Sequence, residues 1–321
     1  MAKNDRQRRS RSTAPNPGVT LMELLVVIGI LMLLMAVALP SVGPMMDGRR
    51  ARETARAINV YFSSARSVAL ETGRPCGVVI RRMEGEPLRS MLLEQVEVPP
   101  PYAGDTMNSR AMVQLTGHNG QVATVTANMD GGFDPQMVRQ GDLVQFNHQG
   151  PLYTITGPGS TLTLQVDVRQ GQMLPWPEGT PSAPVPYEVL RQPVKSFANP
   201  LQLPASAVID LEYSGTDVHD LGDESGDIYL IFSSNGSLQR VYHGGETHPG
   251  LDPIFLLVGK RAQKDKENYQ DMNSLWVTLN PRSGLITTNQ MGVSLDNTDG
   301  IPGSLNESRE FAREAQSMGG R

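Results

Sequence analysis

From Leu24 to Leu39 the chain runs through sixteen apolar or glycine residues without a break, and only Thr20 and Glu23 interrupt the wider apolar stretch from Val19 to Leu39. At about 1.5 Å per residue those 21 residues make a helix of roughly 31 Å, enough to cross a bilayer core. A carboxylate at the centre of such a span costs about 2.5–3.5 kcal/mol, so Glu23 is expected to have a partner or a purpose. The alternative is a Glu23 solvated at the membrane interface. Pro40 removes a backbone donor at the end of the stretch and predicts a kink there. Gly43, Pro44 and Gly48 follow at once. They predict an irregular join before Arg49.

A second pattern begins at Arg49. Ala51, Ala55, Ile58, Phe62, Ala65 and Ala69 recur at spacings of four and three, which is one face of a helix. Arg52, Arg56, Asn59, Ser63 and Arg66 fall on the opposite side. Gly73 and Pro75 stop the helix. Its alanine-rich face predicts close packing on a sheet. After Pro75 the pattern turns to short β-rich runs separated by turn residues, among them Cys76–Arg81, Leu88–Val96, Val122–Ala127, Thr161–Val166, Ile228–Phe232, Ile254–Val258 and Ser274–Leu279. Asn235-Gly236 after Ile228–Phe232 predicts a tight hairpin in which both turn residues take positive φ.

The leader sets the direction of the first helix. Residues 1–18 hold Lys3, Arg6, Arg8, Arg9 and Arg11 against Asp5. A basic stretch before an apolar span stays on the cytoplasmic side. An ordinary secretory signal places its small-residue cleavage site after the apolar stretch, whereas Gly18 precedes it here. The run Pro17-Gly18-Val19-Thr20-Leu21-Met22-Glu23 with its greasy helix resembles the N-terminus of type IV pilins and type II secretion pseudopilins. That resemblance implies a prepilin peptidase that cuts after Gly18 and methylates the new amine of Val19. It also implies that Glu23 docks against the Val19 amine of a neighbouring subunit, that Pro40 is the helix kink, and that other pseudopilins or pilins are partners in a filament.

Further stretches are similar to the GspH/FimT minor pseudopilins. They are Ala65-Arg66-Ser67-Val68-Ala69 with Gly73-Arg74-Pro75, Leu203-Pro204, Phe232 with Gly236-Ser237, and Trp276-Val277-Thr278-Leu279-Asn280 with Gly284-Leu285-Ile286. The resemblance covers about 19–100 and 195–290. It implies an α+β, pilin-like fold in which a long N-terminal helix, transmembrane in its first half, packs on an antiparallel sheet. The expected organisation is a cleaved leader over 1–18, a helix over 19–72 (19–39 transmembrane, 49–72 amphipathic), and a β domain from 73–103 and 194–300. Residues 104–193 match nothing in that pattern. Their closely spaced runs and Pro-rich flanks predict an inserted all-β subdomain; long hairpin loops are the alternative. Trp176, between two prolines, is a candidate partner contact or a plug for that subdomain. The polar tail over 301–321 is expected to be disordered; a short helix from Ser304 to Ser317, with Leu305, Phe311 and Ala315 loosely on one face, is the alternative.

Composition narrows the function. The net charge is −5, and loss of the leader makes it −9. A surface of that sign argues against nucleic acid, whose binding relies on neutralising phosphate. Cys76 is the only cysteine, so no intrachain disulfide forms. No G-x-S-x-G, Walker A loop or H-E-x-x-H is present, and no enzymatic activity is expected. His243 and His248 lie in a glycine loop rather than at helical metal spacing. Asp217, Asp220, Asp223 and Asp227 crowd one segment, an oxygen-rich setting for Ca²⁺ that is equally a solvated acidic loop; otherwise no cofactor is expected. The reading is a minor pseudopilin of a type II secretion-like filament, single-pass in the inner membrane with a periplasmic C-terminal domain. Alternatives are a minor pilin of a type IV pilus, serving adhesion or DNA uptake, and a membrane-tethered binding module that uses the inserted domain.

Overall fold

The computed structural model describes residues 20–317 except 120, 168–173, 218, 223–225, 245, 262–266 and 293–303, with backbone alone at 37–47, 167 and 246. Gly18 and Val19 lie outside the described residues. The chain divides into two units, one ending at Asp47 and one beginning at Gly48. Helix α1 is assigned from Leu21 to Thr72, so its first part belongs to one unit and its second to the other. The assignment continues through Pro40, Gly43, Pro44 and Gly48, where a kink and an irregular join were expected. A proline removes one bond of the ladder and need not end the helix.

The unit from Gly48 onward is dominated by strands. Its larger sheet holds β1 (Cys76–Met83), β2 (Glu86–Glu97), β9 (Val194–Lys195), β10 (Leu201–Gln202), β11 (Ala207–Gly215), β12 (Ile228–Phe232), β13 (Leu238–His243), β14 (Glu246–Pro249), β15 (Ile254–Lys260), β16 (Leu275–Leu279) and β17 (Ile286–Gln290). Their order is β14-β13-β12-β1-β2-β11-β15-β16-β17, with β9 and β10 also pairing β2, and every pairing is antiparallel. The second half of α1 covers one face. Ala51, Ala55, Ile58, Phe62, Ala65 and Ala69 are all buried in one core with Val78, Leu230, Leu256 and Val277. Full burial of Ile58 or Phe62 contributes about 1.5–3 kcal/mol each. The alanines add little area but let the helix approach closely. Arg66 uses that closeness: its Nε donates to Gly236 O at 3.0 Å and its Nη2 to Ser283 O at 2.8 Å, which ties two turns to the helix. Gly284 has φ +63°, and a Cβ there would meet Gly236 O at 1.8 Å, so only glycine fits where the two turns meet.

The second sheet contains β3 (Arg110–His118), β4 (Val122–Asp130), β5 (Leu143–Phe146), β6 (Tyr153–Gly157), β7 (Thr161–Asp167) and β8 (Tyr187–Leu190), in the order β3-β4-β7-β6-β5-β8. Both edges are capped. Ala111 and Val185 exchange backbone hydrogen bonds of 2.8 and 2.9 Å along β3, and Tyr102 and Val189 exchange bonds of 2.9 and 2.8 Å along β8. These bridges cover part of each edge, which shortens the row of amides open to another chain. Alternate residues such as Val113, Val125, Ile155, Leu164 and Val189 fill its interior.

Two expectations are corrected here. The fold class is β-rich, not the α+β, pilin-like class: antiparallel sheets of eleven and six strands dominate the described chain. The stretches that suggested the class are short and scattered over 19–100 and 195–290, and they do not fix how many strands lie around them. The location is corrected as well. Among the described residues no helix is long and apolar enough to cross a membrane, in conflict with a single-pass inner-membrane chain.

The tail is not disordered throughout. Helix α2 spans Leu305–Ser317 and buries Ser308, Arg309, Ala312 and Gln316. Ser304 caps it, its Oγ accepting from Glu307 N at 3.3 Å. The docking is polar. Trp276 Nε1 donates to Ser308 Oγ at 2.8 Å, Asn289 Nδ2 to Ala312 O at 3.1 Å, and Gln316 Nε2 to Thr278 O at 3.2 Å. Arg309 donates to Thr216 O, Tyr213 O and Asp220 Oδ1 at 2.7, 2.8 and 2.6 Å. Leu305 and Ala312 add a small apolar contact, a stripe too loose in the sequence to favour a short helix from Ser304 to Ser317 over disorder. Replacing Trp276 by phenylalanine leaves the buried Ser308 hydroxyl without this donor. A loss of about 1–3 kcal/mol is expected. Urea unfolding should show that loss, and amide hydrogen exchange should rise first in 305–317.

Candidate functional site

The first part of α1 exposes large apolar side chains at almost every position. From Leu21 to Met35, thirteen leucine, isoleucine, valine and methionine residues are between 44 and 81 % exposed. This is an apolar surface on all sides of the helix rather than one stripe, and a surface of that kind marks a contact with something else. Thr20 starts the helix: its Oγ1 accepts from Glu23 N at 3.2 Å, and its carbonyl accepts from Leu24 N at 3.1 Å. Thr20 and Glu23 thus stand in the N-cap and N3 places of a capping box. Glu23 is the only charged residue between Leu21 and Ala36. It sits in the first turn, where the helix dipole favours an anion. It therefore has a local use that the sequence reading did not weigh. Processing positions Gly18 and Val19 lie outside the described residues, and Pro40 lies where only the backbone is described.

A second apolar surface lies on the body. Ala57, Val60 and Tyr61 on α1 face Ala198 and Leu201 across a groove of about 630 Å³, with Glu53 and Arg56 at one end and Ser64 toward the other. Val60 is 60 % exposed, although the opposite face of the same helical turns is buried. Phe197, beside the groove's outer wall, is fully exposed. That wall is held in place by polar contacts. Tyr61 donates its hydroxyl to Asn199 O at 3.0 Å. Lys195 and Arg81 both pair with the buried Glu94, the latter at 2.7 Å. The Lys195 ammonium holds the Glu94 carboxyl below the usual carboxylate range, against the opposing effect of burial, and Arg81 adds to the lowering. Sequence reasoning missed this groove. A lone phenylalanine in a loop carries no periodic signal, and Val60 reads as an ordinary residue of a helix's outer face.

The other candidates are engaged in the fold. Asp220 pairs with Arg309 at 2.6 Å and Asp227 with Arg81 at 2.6 Å, while Asp217 pairs with Arg313. Asp223 lies outside the described residues. These three carboxylates serve three different arginines, and among the described residues no group of three His, Cys, Asp or Glu side chains is placed to hold a metal ion. Trp176 is half-buried against the second core, its ring 5.4 Å from Phe146 and 5.2 Å from Tyr153. Cys76 is buried. His243 is buried with Nε2 3.0 Å from Leu221 O, and the His248 ring lies 5.4 Å from that of His219.

No protein-family model, curated protein or solved structure matches this chain.

Glu94 gives a pH test of the wall beside the groove. Its carboxyl is held below the ordinary value of 4.5, so its contribution is present above that pH and is lost as the pH falls through the lowered value. Glu94→Gln should cost about 1.5–3 kcal/mol at neutral pH. The stability gap between the two proteins should narrow steadily below pH 4.5 in thermal melts.

Proposed function

We propose that the chain is a structural subunit of a filament of the type II secretion pseudopilin kind, cut after Gly18 by a prepilin peptidase and assembled with other such subunits through its N-terminal helix. The observation that carries this reading is the uncovered apolar surface from Leu21 to Met35. Each of its large side chains gains about 1.5–3 kcal/mol on full burial. A few per neighbour offset the roughly 4–15 kcal/mol that association costs. A contact in which the helix of one copy meets a different surface of the next is head-to-tail, and it extends into a filament where its rotation does not close a ring.

Removal of residues 1–18 places a free amine on Val19, four residues before Glu23. In an apolar assembly an unpaired carboxylate is costly, and an amine from the next copy neutralises it. The subunit carries no reaction of its own in this reading. Its work is mechanical: to occupy a place in a growing assembly.

Two measurements test it. Intact mass of the protein isolated from its native cells should show loss of residues 1–18 and one added methyl; a chain that keeps its leader in the assembled fraction contradicts the processing step. Glu23→Gln retains the capping-box residue type but removes the charge. It should leave helicity unchanged by circular dichroism while incorporation into assemblies falls at least tenfold. If Glu23→Gln assembles like the parent, Glu23 serves only as a cap.

A further inference from the structure

We infer that the groove between the second half of α1 and the 197–201 segment receives the apolar N-terminal helix of a second copy of this chain. The inference rests on the assembly reading above and assigns the receiving surface, which that reading leaves open.

Length and chemistry both match. The groove runs along α1 from Glu53 to Ser64. Eleven helical steps make it roughly 17 Å long. The apolar run from Leu24 to Leu39 is longer than that and contains no charged or hydrogen-bonding side chain, so it can fill the groove end to end. From Leu24 to Met35 it also exposes aliphatic groups on every side, so any rotation about its axis presents an apolar face. Helix-in-groove recognition needs an apolar floor and a few large anchors. Ala57, Val60 and Leu201 supply the floor, and Phe197, next in sequence to Ala198 and wholly exposed, is the large aromatic available as an anchor. Charged Glu53 and Arg56 stay at the rim, where they keep their water. The two surfaces are unlike, so a chain that donates its helix keeps its own groove free for the next one. Growth is then head-to-tail, and open-ended where the rotation between copies does not close a ring.

Cross-linking with two differently tagged chains, each after removal of residues 1–18, tests this directly. One carries Ile28→Cys and the other Val60→Cys; the native Cys76 is buried and stays. A short bismaleimide should yield a mixed dimer carrying both tags. Phe197→Asp on the Val60→Cys chain should cut that yield about tenfold, the effect of removing one anchoring aromatic. Phe197 is fully exposed, so this change leaves the fold intact. Dimers linked through Ile28→Cys alone, with no mixed product, would mean that copies meet through their helices and not through the groove; the inference fails and the assembly reading stands. A chain carrying both cysteines that links only to itself also overturns the inference. No intermolecular product of any kind overturns both.

Discussion

Thirteen aliphatic side chains left open to solvent between Leu21 and Met35 impose the requirement that the rest of this molecule answers. Water does not tolerate such a surface unless something covers it. The second half of the same helix answers within the chain. Its small residues lie against the larger sheet, and its one charged clamp, Arg66, reaches two turn carbonyls. The first half has no such answer among the described residues. That contrast within one helix is the physical basis for treating the body as a folded platform and the N-terminal stretch as the part that meets a partner.

The platform is built to hold its shape around α1. Gly236 and Gly284 meet where a side chain would not fit, so the two turns close together under the Arg66 guanidinium. Across the sheet, α2 is fastened by hydrogen bonds to Trp276, Asn289 and Thr278 together with a small apolar contact of Ala312 and Leu305. On the side of the groove, Glu94 holds Lys195 two residues before the exposed Phe197. A buried carboxylate with two cationic partners is a costly element unless its geometry is kept. Here it fixes the start of the segment that forms one wall of the groove.

The alanine stripe from Ala51 to Ala69 was legible because burial on a helix follows its period, and most strands were legible from alternation between turns. Strand β3 was missed although Ala111, Val113 and Leu115 alternate inward; its small first residue weakens the pattern. Strand β14 was missed because Glu246–Pro249 is a polar edge segment with nothing to bury. The Asn235-Gly236 turn was placed correctly but given the wrong geometry. Gly236 alone takes positive φ, at 81°, while the Asn235 side chain accepts from Ser237 N at 2.9 Å. The location was read from the first forty residues and the class from those together with short stretches over 19–100 and 195–290; the weight of strands around them corrected the class. Of the site, Glu23 and the apolar run were visible in the sequence. The groove was not, since it joins residues from α1 and a loop more than a hundred positions later.

The most direct test of the central claim is electron microscopy of the full-length protein after removal of residues 1–18. The account predicts filaments with a regular axial repeat, in which density at the centre is helical and the strand-rich bodies lie outside. Discrete single copies with Leu21–Met35 still accessible to solvent, or aggregates without a repeat, would contradict it.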